Sequence, residues 1–383
     1  MTTVAPTAVL DRDGLDSLIR ALVARGRTVI GPTVRDDAIV LAELTSAAQL
    51  PFGRGVELDA GRYRLVSRPD GAAFAHSAGP RSFKSWLRPQ RERLWSADRS
   101  PEGGVVYTPE RDEAPSYAFF GVRPCDLRAI ALQDRVLTGG RHEDTGYARR
   151  RGRALLIAAE CTEPGATCFC VSTGGGPAAD AGFDLALTEV VDDAGHRFLV
   201  RVGSDEGAEL LAAVPHRTAD LVTEATALAA VDAARDRMGR ALPPVDLRDL
   251  MGASLDADRW DDIAARCLTC GNCTMVCPTC FCVTTEEVTD LTGDHTERWQ
   301  HWDSCFDLDF SRLHEGPVRF STSSRYRQWL THKLSTWHDQ FGSSGCVGCG
   351  RCVTWCPPGI DITEEVAALA AEREATDGDG GAR

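Results

Sequence analysis

The chain has 383 residues, 43% hydrophobic and 26% charged, the balance of an ordinary globular protein long enough for two or three cores. Its 42 basic and 56 acidic residues give a formal charge of −14, which argues against nucleic acid and against an anionic membrane surface as partners. Fifteen cysteines, an odd number at C-x2-C and C-x-C spacings, do not form a secreted disulfide pattern; they point to thiolates given to metal in a reducing compartment.

The opening MTTVAPTAVLDRDG lacks the basic start and apolar run of a signal peptide. No stretch approaches the ~20 apolar residues of a transmembrane helix. A cytoplasmic protein is expected, reaching any membrane process through a partner. Leu15, Leu18, Ile19 and Leu22 stand at helical spacing within 11–25, closed by Gly26. Residues 28–34 and 38–44 read as strands. Short β-like pieces follow over 51–75, broken by Pro51, Gly53, Gly55, Gly61 and Asp70-Gly71. A helix capped by Ser82 is expected to Leu94, then a surface loop over 96–115. Residues 1–115 are thus an α/β scaffold with no chemistry assigned.

The next region, 116–243, is richer. The apolar run 117–122 ends at Arg123-Pro124-Cys125-Asp126, a helical pattern covers 127–137, and a buried-type strand over 154–159 ends at Glu160-Cys161. Strand, helix and strand of this length predict a right-handed βαβ unit, which places Cys125 and Cys161 together at the carboxyl end of neighbouring parallel strands. The stretch TEPGATCFCVSTGGGP adds Cys168 and Cys170. Two readings compete for these four: a third [4Fe–4S] cluster, or small buried hydrophobes. A loop between Pro164 and the glycines 174–176 makes poor core, which favours metal. A hairpin around Asp193-Ala194-Gly195 and helical residues 204–240 lead to a boundary at Pro243-Pro244.

Residues 244–370 carry the clearest signal. RCLTCGNCTMVCP holds Cys267, Cys270, Cys273 and Cys277; GCVGCGRCVTWCP holds Cys346, Cys349, Cys352 and Cys356. Both follow C-x2-C-x2-C-x3-C-P, in which three thiolates wrap one [4Fe–4S] cube and the fourth reaches the neighbouring cube. Gly271, Gly348 and Gly350 free the backbone for the wrap. The expected iron ligands are therefore Cys267, Cys270, Cys273 and Cys356 for one cluster and Cys346, Cys349, Cys352 and Cys277 for the other. A structural zinc would use a sparser pair of C-x2-C units. The 68 residues between the runs (278–345) include a helical stretch, 324–341, with Trp329, Leu330, Leu334 and Trp337 on one face. Arg325, Arg327, His332 and Lys333 lie on the other, read as a solvated face, with compensation of cluster charge or docking of an acidic partner as the minority reading. This predicts a helical insert in an α-helical ferredoxin-type domain. Cys280, Cys282 and Cys305 remain as neighbours of the clusters, or as ligands completed by His301 or His314. TCFCV occurs twice, at 167–171 and 279–283. Residues 371–383 are expected to be a disordered tail. The fold class is α+β: an N-terminal α/β region with a partly parallel sheet, and a C-terminal α-helical dicluster domain.

GVRPCDLRAI, CTEPGATCFC, CPTCFC, SCFDLDFS, RYRQWLTHKL and GCVGCGRCVTWCPPGIDI together resemble the iron–sulfur β subunit of cytoplasmic NAD(P)-linked nickel–iron hydrogenases, the sulfhydrogenases. They also resemble its relative, the A subunit of anaerobic sulfite reductase. The likeness covers most of 28–366 and is densest after Trp260. It implies a non-catalytic subunit carrying electrons between a flavin-containing, NAD(P)-binding partner and nickel–iron subunits, or alternatively a sirohaem sulfite reductase. A redox sensor or scaffold is the reading from another class. The chain has no G-x-G-x-x-G after a strand, no Ser–His–Asp arrangement and no nickel-ligand pair of C-x2-C motifs, so chemistry on substrate is expected in another polypeptide. Burial, amide hydrogen bonds and nearby charge such as Arg351 are expected to tune the cluster potentials.

Overall fold

The computed structural model describes residues 7–77, 79–110 and 115–379. Strand β1 (Ala8–Leu10) leads into helix α1 (Arg12–Ala24), capped by Asp11 accepting the Gly14 amide at 2.8 Å. The spacing of Leu15, Leu18, Ile19 and Leu22 buries one stripe of α1. β2 (Thr28–Arg35) and β3 (Ala38–Leu44) form a hairpin turned by Asp36 and Asp37, both at positive φ as a two-residue turn between twisted strands requires. β4 (Arg54–Asp59) and β5 (Arg62–Ser67) make another.

The helix expected over 82–94 shrinks to one turn, α2 (Lys84–Leu87), because Pro89 excludes helical backbone at the residue before it. The chain then extends as β6 (Arg91–Arg99). Residues 96–115, expected as a loop, supply β7 (Val105–Pro109), antiparallel to β6.

β8 (Tyr117–Val122), α3 (Pro124–Thr138), α4 (Thr145–Gly152) and β9 (Leu155–Ala159) form the βαβ unit, with β8 and β9 parallel. Pro124 occupies the first helical position, where no amide partner is lost. The hairpin β10 (Leu185–Asp192) and β11 (Gly195–Val202) follows, then α5 (Asp205–Ala212), β12 (Arg217–Thr218) and α6 (Leu221–Asp236). The large sheet runs β12-β1-β11-β10-β9-β8-β2-β3. Strands from 1–115 and from 116–243 therefore share one sheet. Its β2, β8, β9 and β10 are parallel neighbours and the rest antiparallel. The strand period of two sends Phe120 to the face packed with α1 and α5, and Phe119 to the face packed with α3 and α4.

The C-terminal part is mainly helical: α7 (Leu247–Ala253), α8 (Arg259–Arg266), α9 (Asn272–Met275), then α10 (Thr322–Thr331), a π turn (His332–Thr336), α11 (Trp337–Phe341), α12 (Arg351–Thr354) and α13 (Ile362–Asp379). The overall class is the α+β one expected. The insert between the cysteine runs is not all helical, however. Its first half is the hairpin β13 (Val283–Thr289) and β14 (His295–Trp302), and β14 pairs with β6 to give a second sheet, β13-β14-β6-β7. β-branched and aromatic residues (Val283, Thr284, Thr285, Trp299, Trp302) suit that half-buried surface. Residues 371–379, expected as tail, continue α13 instead, carried by strong helix formers such as Ala371, Glu372 and Arg373; 380–383 lie outside the described residues. Trp260, Met251, Phe306, Tyr326, Leu334 and Val366 centre a separate core against which the cysteine runs pack. Among the described residues no helix is long and apolar enough to cross a membrane.

Candidate metal centre

The two cysteine runs fold alike. Each has an amide two residues on that donates to the first sulfur at 3.4 Å: Thr269 to Cys267 and Gly348 to Cys346. Each bends through left-handed backbone twice, at Thr269 (φ 52) and Gly271 (φ 69), and at Gly348 (φ 66) and Gly350 (φ 72). Threonine accepts a strain of about 1–2 kcal/mol there. Glycine is doubly required in the second run: a Cβ on Gly348 would lie 2.5 Å from the Cys170 Cα, and one on Gly350 2.2 Å from the Thr167 oxygen. The short helices α9 and α12 then carry Cys273 and Cys352.

Cys267, Cys270, Cys273 and Cys356 line one cavity, walled by Phe306, Tyr326 and Trp329 and touched by Cys352. The fourth cysteine of the second run thus joins the first three of the first run. The Ile360 amide donates to the Cys356 sulfur at 3.3 Å. Burial pushes the Cys267, Cys273 and Cys356 thiols above their ordinary range. Cys270 is exposed, beside Leu268, which is 63% exposed.

Reciprocally, Cys277 sits among Cys346, Cys349 and Cys352. Burial raises Cys346 to about 12, and the thiols of Cys349 and Cys277 add to it; Cys352 is raised by burial, then by Cys346, Cys349 and Cys277. Cys277 is the exception. A hydrogen bond with Cys280 pulls it well down against burial, helped by Lys333 and Thr279, whose hydroxyl lies 3.2 Å from its sulfur.

At the sheet edge, Cys125 stands in the first turn of α3 and Cys161 just past β9. The loop after β9 folds back over them. The Cys161 amide donates to the Pro177 carbonyl and the Phe169 amide to that of Gly348 (both 2.9 Å), and the Arg240 amide to the Cys168 carbonyl (3.0 Å). Burial, then the neighbouring Cys161, raises Cys168 to about 12 and Cys170 to about 11; Cys125 and Cys161 are raised by burial too. Cys349 acts electrostatically on Cys125, Cys168 and Cys170, so this set adjoins the second run. Four thiols this costly to ionise need a cation to exist as thiolates.

Both TCFCV copies pack on the second run, through Thr167 to Thr354 (2.8 Å) and Thr279 to Gly345 (2.6 Å). Cys282 and Cys305 are electrostatic neighbours, and Cys280 contacts Cys277. His314 is exposed and His301 lies within β14; neither shares an interaction with these three thiols. Among the described residues no three or more His, Cys, Asp and Glu side chains close on a point as around a single ion. A four-iron cube, in which each thiolate holds its own iron, is a larger group.

Sequence reasoning misses two charged groups and reaches a third only in the minority reading of a helix face. Asp126 is buried and takes both guanidinium nitrogens of Arg351 at 2.8 Å. Lys84, from the scaffold given no chemistry, donates to the carbonyls of Cys277 and Cys280, both at 3.0 Å. Lys333, placed on the solvated face, is buried against Thr279 at 2.9 Å. The SFKSWL sequence carries no signal for Lys84. Lys333 lies four residues from Trp329 and from Trp337, so helical spacing itself sets it on their buried face.

Residues 266–360 match the family model described as a 4Fe-4S dicluster domain. Over 273 residues, 69% of the chain, the sequence is 33% identical to sulfhydrogenase 2 subunit beta of Pyrococcus furiosus, covering 76% of that protein. No solved structure matches the chain.

Proposed function

The chain belongs to the family of the sulfhydrogenase beta subunits, and from that premise we propose that it is the electron-relay subunit of a hydrogenase-type complex, working between a flavin- and NAD(P)-binding partner and nickel–iron subunits. Cys267, Cys270, Cys273 and Cys356 hold one [4Fe–4S] cluster; Cys346, Cys349, Cys352 and Cys277 hold another; Cys125, Cys161, Cys168 and Cys170 hold a third. Bound clusters supply one-electron transfer. The observation that carries the reading is the meeting of Cys356 with Cys267, Cys270 and Cys273 around one cavity. Exchange of the fourth cysteine ties the two sites side by side.

The chain's own groups fit the role. The amides of Thr269, Gly348 and Ile360 donate to sulfurs, which steadies thiolates and tunes potential. The contacts of Cys352 with the first cavity, and of Cys349 with the sheet-edge set, support a line of three adjacent sites. Exposed Cys270 and Leu268 bring the first site to the surface, where a partner's redox centre gains close approach.

A purified, anaerobically reconstituted chain is expected to lose its cluster absorbance on adding dithionite and to keep it on adding NADPH or NADH. Rapid bleaching by either nucleotide, in a preparation free of flavin, would show a nucleotide site in this chain and contradict the relay role.

A further inference from the structure

Helix α10 gives way to the π turn at His332–Thr336, which widens one turn and buries Lys333, Leu334 and Ser335 together. Such turns are rare inside helices and frequent at functional sites. The carbonyl of Lys333 is taken by the Gly345 amide at 2.8 Å and the Ser344 hydroxyl at 3.2 Å, both in the loop that enters the second cysteine run. Its Nζ donates to the Thr279 hydroxyl at 2.9 Å and the Gly345 carbonyl at 3.3 Å, and that hydroxyl lies 3.2 Å from the Cys277 sulfur. The side chain is 3% exposed.

A buried ammonium is costly unless negative charge faces it. Among the described residues no carboxylate pairs with Lys333 or with Lys84. The groups able to hold the Lys333 charge in place are the sulfurs of Cys277, Cys280 and Cys346, which act on it most strongly after burial itself. Cys282 and Cys305 also face it. Lys84 lies near the same sulfurs, but its ammonium is occupied by two carbonyls and by the Trp302 ring at 3.7 Å. Lys333 is the cation linked to a ligand sulfur through a single hydroxyl, that of Thr279.

We infer that Lys333 raises the reduction potential of the second cluster site, by a fixed positive charge held one hydroxyl away from the Cys277 sulfur. A neighbouring cation favours the state that carries one more electron. The inference rests on Cys277 being a ligand of that site.

The test is a potentiometric titration of the anaerobically reconstituted full chain, followed by electron paramagnetic resonance. Lys333→Met is expected to retain its iron and to lower the reduction equilibrium constant of one cluster at least tenfold, about 59 mV for a one-electron couple, leaving the others unmoved. Lys333→Arg, which keeps the charge, is expected to stay near the unmodified protein. Unchanged potentials at full iron content in Lys333→Met would overturn the inference and leave Lys333 a packing residue. Should that variant lose iron, Lys333→Gln carries the same two outcomes. Cys277→Ala, run beside it, separates the premise: full iron there would remove Cys277 as a ligand, a failure distinct from unmoved potentials.

Discussion

Replacing Asp126 with alanine is expected to destabilise the folded protein by about 3–5 kcal/mol, a large share of what holds a domain together. The carboxylate meets both terminal nitrogens of Arg351 at 2.8 Å, and the two side chains are 4% and 2% exposed. The remaining nitrogen of Arg351 donates to Gly79 at 3.0 Å. Removing the carboxylate leaves a guanidinium with its charge unpaired and no access to water. A paired loss, Asp126→Leu with Arg351→Met, is expected to cost far less, because no orphan charge remains. Thermal melts of the iron-loaded variants check this. A single-variant loss below about 1 kcal/mol would mean the pair is dispensable. The pair also fixes geometry, since Asp126 follows Cys125 on α3 and Arg351 precedes Cys352 on α12. The alanine variant should therefore disturb the second and third sites together.

The second large effect concerns the sheet edge. Cys161→Ala is expected to remove about one third of the iron, about four of about twelve atoms, and leave the two dicluster sites filled. The structure gathers Cys125, Cys161, Cys168 and Cys170 where burial holds their thiols neutral in the absence of a cation. If these cysteines were only packing, iron would stay constant and stability fall modestly. Cys267→Ala beside it calibrates the assay, because it should strip iron from the first site. Unchanged iron in the first variant, with loss in the second, would reject a third cluster.

Much of this site is legible in the amino-acid sequence. The repeated run announces its own wrapping geometry through spacing, and the βαβ pattern alone brings Cys125 and Cys161 to one edge. What the sequence does not convey follows from tertiary pairing. β6 and β14 are about 200 residues apart; each has a local hairpin partner, β7 and β13, but nothing local reveals that the two hairpins join in one four-stranded sheet. The β13–β14 hairpin carries its own local signal in its β-branched and aromatic residues; its pairing with β6 does not. Lys333 stands four residues from both Trp329 and Trp337, so an ideal 3.6-residue period already sets it on their buried face; reading it as solvated follows its charge and not its spacing. Gly348 and Gly350 are legible as turn formers, yet their tighter constraint, the approach of the loop bearing Cys168 and Cys170, comes from a segment about 180 residues earlier.

The most direct test is elemental analysis of the full chain purified without oxygen. Iron and acid-labile sulfide should each reach about twelve per chain, about eight from the paired runs and about four from the sheet edge, with a reduced-state paramagnetic signal from coupled one-electron centres. Bound zinc with iron near zero, after anaerobic purification and reconstitution, would contradict an iron–sulfur electron relay.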